Sequence, residues 1–160
     1  LVYPSVFIVK NKEQKMGGVI GEQHRVLSGE SWEIGKVVLS WQTTQADASA
    51  PKNGNNVVIH EFAHQLDQEA GHANGAPILS SIGDYSSWST VLAQEFELLQ
   101  SQSQQNIPSI FSYYGATNPA EFFAVITEVF FERPEEVYQF HRALYTELSH
   151  FFKLDPINWH

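Results

Sequence analysis

The chain has 160 residues, of which 42% are hydrophobic and 17% are charged, a balance typical of one globular domain with its own core. Its formal net charge is −9 and its nine Lys and Arg residues are scattered, so a nucleic-acid-binding face is not expected. No apolar run is long enough to span a membrane. Cysteine is absent, which excludes disulfides and cysteine ligands for a metal and suits a reducing, cytoplasmic location.

The first 41 residues are predicted to be rich in β-structure. Residues 2–3 and 6–9 suggest one strand that Pro4 interrupts near its start, and residues 19–20 and 24–27 suggest further strands. Residues 35–41 form the clearest strand pattern. Residues 42–55 are polar, contain Pro51 and Gly54, and are interpreted as a loop.

Four helices are predicted in the remainder of the chain. They cover residues 55–69, 84–102 with Asp84 as the cap, 119 to just before Pro134, and 134–152. Residues 70–83 contain three Gly and one Pro, which indicates a second loop. Because strands come first and helices follow, the sequence predicts an α+β fold, with a small N-terminal sheet before about four helices.

The most informative motif is His60-Glu61-Phe62-Ala63-His64, an HExxH pattern within a predicted helix. Residues four apart lie on one face of a helix, so His60 and His64 can direct two imidazoles at one metal ion. Glu61 lies about 100° around the axis, where its carboxylate can reach water on that metal. The pattern is typical of zinc metallopeptidases, and the alternative is a core helix with hydrogen-bonded histidines.

A catalytic zinc usually has three protein ligands, so a third must come from elsewhere. The spacing HExxHxxGxxH fails, because Asp67 occupies the Gly position and Ala70 the His position. His72 could supply a ligand from the loop after the helix. Otherwise the ligand is a carboxylate from a later helix, and the candidates are Glu95, Glu97, Glu121, Glu128 and Glu132.

We select Glu121 among these. Asn118 fits a helix N-cap and Pro119 the first helical position, which places Glu121 third. That position has an ordinary explanation, because a Glu there closes a capping box or favours the helix N-terminus. Glu128 follows two turns later on nearly the same face, as a substitute ligand or as a carboxylate that orients a ligand histidine. Asp67 is a second candidate for such orientation, or a solvated residue at a helix end.

Two segments resemble the Mlc titration factor A family of zinc peptidases: Asn56-Val-Val-Ile-His-Glu-Phe-Ala-His-Gln-Leu-Asp67 and the block from Tyr114 to Pro134 that contains Asn-Pro-Ala-Glu. The opening Leu-Val-Tyr-Pro-Ser and the segment between Trp32 and Trp41 are similar as well. The resemblance covers nearly the whole chain. It implies a zincin-like gluzincin domain, similar in catalytic architecture to the protease domain of anthrax lethal factor.

The resemblance also implies the site residues: zinc ligands His60, His64 and Glu121, with Glu61 as the base and Tyr114 as the stabiliser of the oxyanion. Tyr113 is its neighbouring rival, and a packing role is the alternative for both tyrosines. Residues 1–160 would form a single catalytic domain without the N-terminal helical segment usual in the family. Binding of a sugar-responsive transcriptional repressor, which needs that segment, is the partner that the family suggests.

The expected function is hydrolysis of peptide bonds by a zinc-activated water, with one zinc ion per chain and a peptide or protein substrate, and aminopeptidase action is one form of it. The alternative is a regulatory binding protein that contains zinc and cleaves little. The strand at residues 36–40 is either a sheet edge to which a substrate adds as an extra strand or an interior strand without a substrate role.

Overall fold

The computed structural model describes residues 1–15, 19–27, 29–32, 35–69 and 71–159. Strands come first and helices follow, which confirms the predicted α+β class. The strands are β1 (Val2–Tyr3), β2 (Phe7–Lys15), β3 (Val19–Leu27), β4 (Gly29–Trp32) and β5 (Lys36–Ser40). The helices are α1 (Trp41–Ser49), α2 (Val57–Gln68), α3 (Ile82–Gln105), α4 (Pro119–Glu132), α5 (Pro134–Phe140) and α6 (Arg142–Phe152), with 3₁₀ helices at Tyr113–Ala116 and Pro156–Asn158.

The strands form two separate sheets. One has the order β1-β5-β4, in which β1 runs parallel and β4 antiparallel to β5, with Glu30 opposite Val38. The other is an antiparallel hairpin of β2 and β3, in which Phe7 is paired with Leu27 in the register of the strands. The single strand predicted across residues 2–9 is therefore wrong, because its two parts pair with different partners.

The position of β5 decides between the two alternatives for residues 36–40. Since β5 is hydrogen-bonded to β1 on one side and to β4 on the other, it is an interior strand, and of the two alternatives the sheet edge is wrong. Among the described residues the edge beside the helices is β4 instead.

Residues 41–49 form helix α1, so the prediction of a loop across 42–55 is wrong for most of its length. The helix begins because the Ser40 side chain accepts a hydrogen bond from the backbone N–H of Thr43 at 3.2 Å. None of its residues is buried. It therefore lacks the apolar periodicity from which a helix can be predicted.

Two further helix boundaries differ from the prediction. Ser81, not Asp84, is the N-cap of α3, and Asp84 closes a capping box with it. The single helix predicted over 134–152 is broken at His141, whose backbone leaves the helical region at φ −135° and ψ 53°. The His141 ring packs 4.8 Å from the ring of Phe111, and its Nδ1 lies 2.7 Å from Glu95 Oε2, so contacts to other parts of the chain hold the break.

Helix α4 lies at the centre of the helical layer. Its residues from Phe122 to Phe130 are all buried, so the helix is enclosed by protein around its whole circumference. Asn118 caps it by accepting a hydrogen bond from the backbone N–H of Glu121 at 3.0 Å, and Pro119 occupies the first turn, as predicted. This cap fixes the start of α4, and with it the position of Glu121. None of the helices within the described ranges is both long and apolar enough to cross a membrane.

Candidate metal centre

The N-terminus of α2 is held by side chains from other elements. The helix begins with the β-branched residues Val57, Val58 and Ile59, which are not strong helix formers. The Asn56 side chain caps it by accepting from Ile59 N at 3.2 Å, and Asp47 Oδ2 accepts from Val57 N at 2.9 Å. Acceptors at this end satisfy backbone N–H groups that have no partner inside the helix, so they offset the weak propensity and fix where α2 starts.

The structure brings His60, His64 and Glu121 together. His60 Nε2 lies 3.2 Å from His64 Nε2 and 3.1 Å from Glu121 Oε2, and His64 Nε2 lies 3.4 Å from the same oxygen. All three side chains are only partly exposed, and within the described residues they form the group able to hold a metal ion. The Glu121 carboxylate thus faces the two imidazoles, although its backbone N–H serves the cap of α4.

The spacing of these three atoms fits a metal ion. Bonds of about 2.0–2.1 Å at a tetrahedral centre place neighbouring ligand atoms about 3.3 Å apart. The three observed separations are 3.1, 3.2 and 3.4 Å. These separations would suit a small cation held by the three residues, which also line one cavity.

Glu128 fixes the orientation of His60. Its Oε1 lies 2.7 Å from His60 Nδ1, and its Oε2 accepts from Asn56 N at 2.5 Å. When Nδ1–H donates to Glu128, His60 Nε2 presents a lone pair to the metal position. Burial lowers the pKa of His60, but hydrogen bonds to Glu121 and Glu128 outweigh it and raise the pKa to about 10. The surroundings of His60 thus favour positive charge, which a proton or a metal ion supplies.

Glu61 is buried, with 6% of its surface exposed, and lines the same cavity. Burial raises its pKa to about 7, against the opposing effect of His60 and His64. The neighbouring Glu121 has the opposite shift, because hydrogen bonds from His60 and His64 outweigh burial and hold its pKa well below the usual range. The two carboxylates therefore suit different tasks: Glu121 stays ionised as a ligand, whereas Glu61 can exchange a proton near neutral pH.

Strand β4 touches Glu61 at Gly29. A Cβ atom added to Gly29 would lie 2.5 Å from Glu61 Oε1 and 2.7 Å from its Cγ. A side chain at position 29 would therefore push the Glu61 carboxylate out of place. Because Gly29 has no side chain, strand β4 can pass directly over the Glu61 carboxylate.

Tyr114 rather than Tyr113 borders the cavity. The Tyr114 ring lies 6.0 Å from the His60 ring, and the residue is 48% exposed. The Tyr113 hydroxyl donates instead to the backbone carbonyl of Ile107. The sequence left Tyr113 and Tyr114 as rival candidates for stabilising the oxyanion, and Tyr114 is the one that lies beside His60.

The remaining candidate ligands lie elsewhere or have other partners. His72 and Glu97 are exposed, Glu95 contacts His141, and Glu132 accepts from Lys52 N at 2.6 Å and from Asn56 Nδ2 at 2.9 Å. Asp67 is fully buried rather than solvated, and its Oδ2 accepts from Gly75 N at 2.7 Å. It thus anchors the loop that follows α2.

The cavity that His60, His64 and Glu121 line has a volume of about 520 Å³. Three parts of its wall were not foreseen from the sequence: Gly29 and Glu30 of β4, Gln68 at the end of α2, and the loop residues Ala73 and Asn74. Gln68 lies four residues after His64 in α2, so the same helical spacing could have placed it on this face. No local pattern marks the other four residues, because they reach the cavity only through the pairing of β4 with β5 and through the folding of the loop after α2.

Comparison with known proteins identifies the family to which the chain is related. Residues 1–153 match the family model described as glucose-regulated metallo-peptidase M90. The chain is 43% identical over 158 residues to an uncharacterised protein, slr2042, of Synechocystis, with 98% of this chain and 58% of that protein covered. It is 37% identical over 160 residues to Mlc titration factor A of Yersinia enterocolitica, of which 59% is covered. It is 38% identical over 160 residues to Mlc titration factor A of Yersinia pestis, of which 58% is covered, and both matches include 98% of this chain.

The chain therefore spans under two thirds of the length of these curated relatives. The family match, in contrast, extends over almost all of the chain, including the strands, the HExxH helix and α4. The chain belongs to the M90 family of metallopeptidases, to which its Mlc titration factor A relatives also point.

Proposed function

We propose that the chain is a zinc-dependent peptidase that hydrolyses peptide bonds with Glu61 as its general base. The observation that carries this proposal is the closed triangle of His60 Nε2, His64 Nε2 and Glu121 Oε2, with the Glu61 carboxylate in the same cavity. Two imidazoles, one carboxylate and an open fourth position form the ligand set of catalytic zinc in many peptidases.

Zinc held by these three ligands would act as a Lewis acid and lower the pKa of water towards about 7. Glu61 accepts the proton of the attacking water and passes it to the nitrogen of the leaving amine. Burial raises the pKa of Glu61, which favours its acceptance of a proton from the attacking water. Tyr114 donates its hydroxyl proton as a hydrogen bond to the oxyanion that develops on the peptide carbonyl.

The substrate would bind along β4. This strand borders the cavity at Gly29 and Glu30 and, in the part of the chain that the structure describes, pairs on one side only, with β5. An extended peptide can add to such an edge through main-chain hydrogen bonds. The scissile carbonyl would then lie over Glu61, because Gly29 is in contact with that residue.

Two variants test the proposal. Glu61→Gln should keep zinc and lose nearly all peptide hydrolysis, whereas Glu121→Ala should lose zinc itself. Zinc content by atomic emission and cleavage of a quenched fluorescent peptide, with and without a chelator, are the measurements. Glu97→Gln is the matched control, since Glu97 is exposed and does not line the cavity. Equal hydrolysis by the wild type and Glu61→Gln would refute the role of Glu61.

A second candidate is a regulatory protein that retains zinc and binds a partner without cleaving it. The name Mlc titration factor A, which several relatives carry, indicates an interaction of those proteins with Mlc. The ligand geometry would be the same in either case. The two functions differ in the peptide assay: a binding protein contains zinc but gives no hydrolysis that a chelator stops. A cytoplasmic location, consistent with the absence of cysteine, belongs to the same proposal.

A further inference from the structure

Two asparagine side chains, Asn74 and Asn118, line the cavity of the candidate metal centre without belonging to its ligand group. Asn118 caps α4, and Asn74 lies in the loop after α2. The segments that carry them are in contact, because a Cβ atom added to Gly75 would lie 2.6 Å from the carbonyl oxygen of Pro119. The two side chains therefore belong to one part of the cavity wall.

Each of these amides is held in one orientation by a backbone donor. Asn74 Oδ1 accepts from Ala76 N at 3.0 Å, and Asn118 Oδ1 accepts from Glu121 N at 3.0 Å. A backbone N–H can bond only to the oxygen of an amide, so the NH₂ group of each Asn is left for another partner. Neither NH₂ group has a hydrogen-bond partner among the residues that the structure describes. This part of the wall thus offers donors, while its amide oxygens are engaged.

The backbone beneath Asn74 is fixed as well. The buried carboxylate of Asp67 accepts from Gly75 N at 2.7 Å, and Trp88 Nε1 donates to the carbonyl oxygen of Gly75 at 3.3 Å. Asn118 is fixed in turn by its place at the start of α4. Donors that are held in position before a ligand arrives lose little conformational freedom when it binds.

We propose that Asn74 and Asn118 form a subsite that binds a carbonyl oxygen of the peptide substrate through their NH₂ groups. The inference rests on the proposed peptidase function and identifies two residues that bind its substrate. A carboxylate is a poorer match, because it would face Glu61 and Glu121 in a cavity whose described lining contains no Lys or Arg. The carbonyl group belongs either to the peptide main chain or to a Gln or Asn side chain of the substrate.

An extended peptide on β4 has such carbonyl groups to offer. When a strand pairs on one side only, alternate residues direct their C=O and N–H groups away from the partner strand. Strand β4 touches the site at Glu61, whereas Asn118 lies three residues before Glu121 at the start of α4. The two Asn side chains are therefore a separate part of the wall from the strand that would pair with the peptide.

The variants Asn74→Asp and Asn118→Asp test the subsite. Each keeps the oxygen that accepts the backbone N–H and exchanges the NH₂ donor for a second acceptor, and Asp caps a helix about as well as Asn. Asn74→Asp lies outside the cap of α4, so it tests the subsite even if the change at Asn118 disturbs that helix. Gln104→Glu makes the same amide-to-acid change on an exposed part of α3 that does not line the cavity, and it is the control.

The ligands are peptides derived from acetylated and amidated hexa-alanine. One series carries Gln or Met, which are similar in size, at each position in turn. The other series exchanges each main-chain carbonyl oxygen in turn for sulfur, a weaker acceptor. Calorimetry on the zinc-loaded Glu61→Gln protein measures their affinities without turnover. At one position we expect the peptide with oxygen to bind about fivefold more tightly, the usual effect of one hydrogen bond.

Adding Asn74→Asp or Asn118→Asp to that protein should abolish the difference, and adding Gln104→Glu should preserve it. A difference in the Gln/Met series assigns the subsite to a substrate side chain, and a difference in the sulfur series assigns it to the main chain. Equal affinities at every position of both series, or a difference that both Asp variants retain, would overturn the proposal.

Steady-state kinetics separates this outcome from the fate of the peptidase function. With Glu61 in place, each Asp variant should raise KM for the preferred peptide about fivefold and leave kcat unchanged, because the hydrogen bond is made in the ground state and the transition state alike. If the wild type cleaves none of the peptides but the binding difference is present and is lost in the Asp variants, the peptidase function is refuted and the subsite stands. Chelator-sensitive cleavage without any binding difference would refute the subsite alone.

Discussion

His60 Nδ1 lies 2.7 Å from Glu128 Oε1, and the other oxygen of the same carboxylate accepts from the backbone N–H of Asn56 at 2.5 Å. One buried side chain of α4 therefore fixes both the ring of the candidate metal ligand His60 and the first residue before α2. The two helices that carry the candidate ligands are joined at this point. The orientation of His60 depends on it, because the hydrogen bond at Nδ1 leaves Nε2 for the metal.

We predict that Glu128→Gln weakens zinc binding by about 10- to 100-fold, the usual effect of losing such a supporting partner. The amide oxygen of Gln can still accept from His60, but its NH₂ group then faces the N–H of Asn56, so one of the two bonds is lost. Competition with a chromophoric chelator measures the zinc affinity. Glu135→Gln on the exposed side of α5 is the control. An affinity within twofold of the wild type would show that Glu128 does not support the ligand.

The pH dependence of zinc binding follows from the pKa of His60. Zinc binds the neutral imidazole, so its affinity rises with pH as long as the free ligand is protonated. An ordinary histidine, with a pKa of about 6.5, would let the affinity level off above pH 7. Since Glu121 and Glu128 raise the pKa of His60 to about 10, the affinity should keep rising roughly tenfold per pH unit between pH 7 and pH 9.

This rise can be measured by chelator competition at buffered free zinc. In Glu128→Gln, one of the carboxylates that raise the pKa of His60 is gone, so the curve should level off at a lower pH than in the wild type. Equal affinity at pH 7 and pH 9 in the wild type would contradict the proposed protonation of His60.

The two neighbouring tyrosines offer a matched test of the oxyanion donor. Tyr114→Phe should keep zinc and lower kcat on the order of a hundredfold, because it removes a hydrogen bond made in the transition state. Tyr113→Phe should leave kcat nearly unchanged, since the Tyr113 hydroxyl is directed to the Ile107 carbonyl. Steady-state kinetics on one peptide measures both variants. A larger loss in Tyr113→Phe than in Tyr114→Phe would reverse the assignment.

Local signals explain which parts of the fold and of the site could be predicted. The HExxH spacing and the Asn118-Pro119 cap act within one or two helical turns, so α2 and the start of α4 follow from the sequence. The three candidate ligand residues meet only through the packing of these helices. Glu121 is selected among five carboxylates for its place at the start of a capped helix, and the resemblance to a family supports that choice. Helix α1 buries no residue and therefore carries no apolar period.

The features that could not be predicted depend on distant contacts. The break at His141 is held by Glu95 and Phe111, which belong to other segments of the chain. Glu30 reaches the cavity because β4 pairs with β5 in a register that places Glu30 opposite Val38. The contact of β4 with α2, made between Gly29 and Glu61, joins residues that are distant in sequence, so no local pattern places Glu30 at the cavity.

Asp67 provides a test of how the wall of the cavity is held in place. It is fully buried, its Oδ2 accepts from Gly75 N at 2.7 Å, and its Oδ1 has no hydrogen-bond partner among the described residues. Gly75 in turn accepts from Trp88 Nε1 and has a φ of +77°, and an added Cβ would lie 2.6 Å from the carbonyl oxygen of Pro119. Asp67 thus holds a turn that fits only glycine and that carries Asn74 at the cavity.

Asp67→Ala should lower the free energy of unfolding by about 1–3 kcal/mol, because it leaves the N–H of Gly75 buried without an acceptor. Asp67→Asn should stay within about 1 kcal/mol of the wild type at pH 7, since its amide oxygen still accepts from Gly75 and no charge is buried.

Burial raises the pKa of Asp67 in the folded state, so the stability that its proton supplies is present at low pH and is lost as pH rises through that pKa. The stability of Asp67→Asn relative to the wild type should therefore improve from pH 4 to pH 7. Urea unfolding measures all three proteins, and equal losses in the Ala and Asn variants would show that the carboxylate acts through its charge rather than through the bond to Gly75.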